Sequence, residues 1–165
     1  RTSTPVIWAI VLTAIFIVIS VFAIIYYAAK PSTSAPLTGT YIKQTIYGGF
    51  GELYIENGLD LDSCVYLATV RNPDSLIAVY IRSGDSFKIT GIRDNAYILS
   101  FTIGKSWDYT AKHFLKTASS ERFIDELYYS TYANQYTTYE VTLHPVKGGE
   151  AKTYIINENQ LPTLN

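Results

Sequence analysis

Two histidines, one cysteine and fourteen carboxylates are the side chains through which this chain could do reactive chemistry. His113 and His144 have Asp108 and Glu140 nearby, the raw material of a general base. Neither histidine is joined by a Ser-His-Asp order, a nucleophile elbow or metal-ligand spacing. His144 precedes Pro145 at the end of a strand-like run, where an imidazole serves a local hydrogen bond. A hydrolase built on His113 or His144 is therefore the least favoured reading, and no catalytic residue is expected. Asp60 and Asp62 follow the Asn57-Gly58 turn and offer oxygens to calcium, but such a site takes about six or more. Turn capping is their expected role, and neither a metal nor a cofactor is expected. Cys64 opens an alternating run with no base beside it, which suits a buried, unreactive thiol. A single cysteine excludes an intrachain disulfide, and one cysteine with two histidines is too few for a structural zinc site. Gly48-Gly49-Phe50-Gly51 lacks the Lys-Ser/Thr pair and the helix of a phosphate-binding loop, and reads as a strand start or bulge.

What the chain has in abundance is tyrosine: fifteen of 165 residues. Trp107, Tyr128, Tyr129, Tyr132, Tyr136 and Tyr139 are candidate partner contacts, because such rings offer large area at small rotamer cost. The competing expectation is that alternate tyrosines cover the outer face of a sheet. Thirteen basic against fourteen acidic residues leave a net charge of −1 and no overall basic field, so nucleic acid is not an expected partner.

These residues need a scaffold, and beyond Thr38 the pattern is strand, turn, strand. Gly51–Glu56 alternates before Asn57-Gly58; Ser63–Val70 and Ser75–Arg82 follow, separated by Arg71-Asn72-Pro73-Asp74. Ser86–Thr90 ends at Gly91, and Ala96–Ile103 is broken by Gly104-Lys105. Arg122–Tyr129, Tyr136–His144 and Lys152–Ile156 are further strand candidates. Tyr128–Tyr139 reads as a hairpin or long connection, and Ser106–Phe114 is the one candidate helical turn. The expected fold is an all-β ectodomain, an antiparallel β-sandwich of about seven or eight strands.

Ahead of it, Pro5 to Ala29 contains no charged residue. Twenty-five residues exceed the ~20 needed to cross a ~30 Å hydrocarbon core, and the run is longer than a signal-peptide core. Trp8 and the Tyr26-Tyr27 pair, about 27 Å apart along a helix, suit the two membrane interfaces as anchors. The organisation is thus a transmembrane helix over residues 1–30, a linker over 31–37 and a β-domain over 38–165. Membrane lipid is an expected partner, with the N-terminus in the cytoplasm and the large domain on the extracytoplasmic side.

Gly51–Gly58, Val79–Asp85, Gly104–Asp108 and Tyr136–Pro145 together resemble an uncharacterised family of bacterial proteins across residues 48–156. That resemblance implies one extracytoplasmic β-sandwich tethered to a membrane, and brings no catalytic residue. Gly91–Tyr97 is also similar to transthyretin-like sandwiches at the level of fold. The expected function is a non-catalytic, single-pass accessory subunit whose sandwich covers the extracytoplasmic face of a larger complex of membrane protein subunits. The alternative is a filament subunit with the apolar helices at its core, although no Glu occupies the early apolar positions as in bacterial pilins.

Overall fold

A computed structural model of the chain describes residues 17, 18, 20, 21, 35–144, 149 and 151–164. The chain divides into two compact units, Arg1–Ser32 and Thr33–Asn165. Within the first, Ile17, Val18, Ser20 and Val21 are helical. The rest of the expected membrane span, with Trp8, Tyr26 and Tyr27, lies outside the described residues, among which no helix is long and apolar enough to cross a membrane.

The second unit is built from strands. In chain order they are β1 (Thr40–Gln44), β2 (Gly51–Glu56), β3 (Asp62–Thr69), β4 (Leu76–Ile81), β5 (Ser86–Ile92), β6 (Asn95–Asp108) and β7 (His113–Phe123). Five shorter ones follow: β8 (Leu127–Tyr129), β9 (Thr131–Tyr132), β10 (Gln135–Tyr136), β11 (Thr138–Thr142) and β12 (Thr153–Ile155). A larger sheet has the order β1-β4-β3-β6-β7-β12, with β8 also paired to β6. A smaller sheet has the order β11-β2-β5, and β9 and β10 form a separate ribbon.

Alternation explains why the two sheets face each other. Leu53 and Ile55 of β2, Ile89 and Ile92 of β5 and Val141 of β11 point the same way. They meet Val65, Leu67, Ile77, Val79, Leu99 and Phe101 of the larger sheet in one buried core. β3 and β4 are apolar on both faces, so the outer face of the larger sheet needs a cover as well. There Tyr66, Tyr80, Trp107 and Phe114 form a second buried cluster, closed by Leu161 and Leu164 after a short 3-10 turn (Glu158–Gln160). Lys112 Nζ donates to the Leu164 carbonyl at 2.7 Å, and Arg122 Nη2 donates to that of Gln160 at 2.7 Å, holding this segment down.

Residues 35–38 lead into β1 at one end of the sandwich, which we term proximal. Arg82 fixes them: Nε donates to the Pro36 carbonyl at 2.8 Å and Nη2 to the Ala35 carbonyl at 3.0 Å. Thr38 Oγ1 accepts from the Arg82 backbone N–H and donates to Asp85. β1, β5 and β11 run from this end or toward it, and the opposite, distal end gathers the β1–β2 loop, the β5–β6 turn and the β9–β10 ribbon.

The all-β expectation holds, with four local corrections. β11 pairs with β2 in parallel, because it leaves the ribbon at the distal end where β2 also starts. Gly91 does not end β5; at φ +77° it kinks the strand so that Ile92 continues into the core. Gly104 does not break β6, since the register shifts between Ile103 and Gly104 and pairing with β7 resumes through Asp108. Ser106–Phe114 is not helical: Trp107 opposes Phe114 across the β6–β7 hairpin, and Ser106 and Lys112 take positive φ at its bends.

Candidate interaction surface

Phe50 stands in a glycine-rich loop where alternation gives its ring no inward position, and it is 67% exposed. Tyr47, three residues earlier, is exposed too, with the Arg93 guanidinium 5.3 Å above its ring centre, a cation–π contact. Arg93 and Asp94 form the β5–β6 turn. Both Asp94 oxygens accept from Thr131, one from its N–H at 2.9 Å and one from its hydroxyl at 2.8 Å. That contact pins the β9–β10 ribbon beside the glycine loop. A shallow groove of about 360 Å³ runs between them, lined by Gly48, Gly49, Phe50, Arg93, Asp94 and Thr131. The ribbon carries Tyr132, 83% exposed, and Tyr136, and β8 adds the exposed Tyr128. The distal end therefore presents five exposed rings, far more apolar area than scattered surface residues require.

The candidate contacts named from sequence divide accordingly. Tyr128, Tyr132 and Tyr136 are exposed at this end. Tyr139 is half-buried, and its hydroxyl accepts from the Tyr128 N–H and donates to the Tyr128 carbonyl, so it braces the surface. Tyr129 is a correction: its ring is buried edge-on against Tyr97 and its hydroxyl donates to the Glu52 carbonyl, joining the two sheets. Trp107 is another. Only 1% exposed, it packs edge-on to Tyr80 and Phe114 in the outer cluster and presents nothing to a partner. Tyr47, Phe50 and Arg93 were missed by the sequence reading, and the one available signal was an aromatic side chain flanked by glycines.

Asp62, Cys64 and Asp108 are engaged in structure. Asp108 Oδ1 accepts from the backbone N–H groups of Thr110 and Ala111, so it shapes the hairpin turn rather than orienting His113. His144 lies against Gly58, where any side chain would collide with the imidazole, and its buried Nδ1 has no partner. Asp62 accepts from the Tyr80 hydroxyl at 2.7 Å and the Ser83 N–H at 2.9 Å. Among the described residues no three His, Cys, Asp or Glu side chains are placed to hold a metal ion. Cys64 is fully buried, and burial pushes its thiol up to about 12. Burial likewise raises the phenols of Tyr66, Tyr80 and Tyr129, and Asp62 adds to the shift at Tyr80.

No protein-family model matches the chain, and no curated protein or solved structure matches it either.

Proposed function

We propose that the chain is a non-catalytic subunit of a membrane protein complex, tethered by its apolar N-terminal segment, with the β-domain binding other subunits on the extracytoplasmic side. The distal aromatic end carries this reading: Tyr47, Phe50, Tyr128, Tyr132 and Tyr136 offer rigid, exposed area of the kind enriched in protein interfaces. Arg82 supports it from the opposite end. It fixes residues 35 and 36 against the β-domain, so the point at which the chain enters the sandwich is held by side-chain hydrogen bonds.

Extraction of native membranes in a mild detergent, followed by affinity isolation of the full chain, tests the proposal. Other membrane proteins are expected in fixed ratio to it, and Phe50→Ala with Tyr132→Ala is expected to release them. Recovery of the chain as a monodisperse monomer overturns the reading.

A further inference from the structure

The β6–β7 hairpin has a charge pattern that the fold leaves uncompensated. One row of paired residues crosses the larger sheet through Thr40, Tyr80, Cys64, Thr102 and Ser120. On the proximal side of that row β3 stops at Asp62, opposite Gly104, while β6 and β7 continue as a two-stranded extension. The extension folds onto the outer face, because Trp107 packs 5.2 Å from Tyr80. Where it leaves the sheet, Lys105 and Lys116 are directly paired, and both are exposed. Like charges opposite one another destabilise a strand pair unless something neutralises them.

Glu158 shares a pocket with Lys112, His113 and Thr117 of the hairpin, but Lys105 and Lys116 do not line it. Among the described residues neither lysine has a hydrogen bond or ion pair; the pair found there joins Lys88 to Glu52. Between residues 104 and 118 there are three lysines and one acid, Asp108, in a chain whose net charge is −1. Asp62 and Asp85, at the same end, are taken up by Tyr80, Ser83 and Thr38. Asp60 lies in the β2–β3 loop and is exposed. Beside the lysines, Leu115 and Tyr109 are exposed, and Leu37, at 68%, is exposed where the chain joins the sandwich. Cations mixed with exposed aliphatic and tyrosine side chains are the composition that adheres to an anionic bilayer.

We infer that this proximal hairpin docks on anionic lipid headgroups, with Lys105 and Lys116 against the phosphates and Leu115 at the interface. The inference rests on the tethered reading above for its geometry, and it adds a lipid preference that tethering alone does not require. Docking fixes the tilt of the domain and so the direction in which the aromatic end faces.

The test uses the full chain with Leu115→Cys carrying an environment-sensitive fluorophore; the buried Cys64 stays unlabelled. It is reconstituted with phosphatidylcholine vesicles, or with vesicles containing 30% phosphatidylglycerol in the probe mixture (roughly the anionic share that sets a strong surface potential). A blue shift is expected with phosphatidylglycerol and not with phosphatidylcholine alone. High salt is expected to reverse it, and Lys105→Gln with Lys116→Gln to abolish it without lowering the unfolding midpoint. Equal emission in both lipids, or a shift that survives the double substitution, overturns the inference. Flotation of the same samples separates the two claims. A chain that fails to float with phosphatidylcholine contradicts the tether, whereas one that floats without any lipid-dependent shift contradicts only the docking.

Discussion

At the residue scale, His113 stays exposed, whereas Asp62, Cys64 and Asp108 are absorbed into the fold. Cys64 and the tyrosines around it show how. The folded thiol titrates at about 12 against an ordinary 9.0, and Tyr66, Tyr80 and Tyr129 are raised above 10.0. With the folded values higher, their stabilising contribution is complete below about pH 9 and declines as the pH rises, because only the unfolded chain releases these protons. For Cys64 the loss is about 1.4 kcal/mol per pH unit between 9 and about 12. Urea unfolding of the detergent-solubilised chain at pH 8, 10 and 11 is expected to show stability falling ever more steeply, with the thiol inert to aromatic disulfide reagents until unfolding. A flat profile, or a thiol that reacts in the native state, contradicts this burial. The burial of Cys64 was legible in its alternating run. The burial of Tyr129 and Trp107 was not, since alternation gives a period but not which face a second sheet or a hairpin will cover.

At the element scale, the strands with clean alternation or continuous apolar runs were readable close to their true bounds: β2, β3 and β4 in particular. β7 was not, because Lys116-Thr-Ala-Ser-Ser-Glu121 is polar enough to pass for a loop, and its pairing with β6 rests on long-range partners. Glycine was misread for a related reason. Gly104 is needed where β6 and β7 approach most closely: a Cβ there would sit 2.6 Å from the Lys116 carbonyl oxygen and 2.7 Å from Phe114. Backbone cannot yield as a flexible side chain can. Gly104→Val is therefore expected to cost about 1–3 kcal/mol by overpacking and to loosen the Trp107–Phe114 contact. A shift in the urea midpoint together with a red-shifted tryptophan emission checks this; an unchanged midpoint means that the register shift at Gly104 is dispensable.

At the scale of the whole molecule, the β-domain has two ends with different character. The proximal end holds the incoming chain through Arg82 and bears the unneutralised Lys105–Lys116 pair; the distal end bears the exposed rings. Sequence alone pointed to Trp107 and to tyrosines 128, 129, 132, 136 and 139 as candidate contacts but could not place Phe50 and Tyr47 beside the exposed ones, because the Asp94–Thr131 bonds that join these loops span 37 residues. The central claim is that this distal end is where other subunits bind. Its most direct test is a photo-crosslinking residue at position 132 in the full chain within native membranes, compared with one at position 110 in the β6–β7 turn at the opposite end. The account predicts a discrete adduct with one protein partner from position 132 and none from position 110. No adduct from position 132, or the same adducts from both positions, would contradict it.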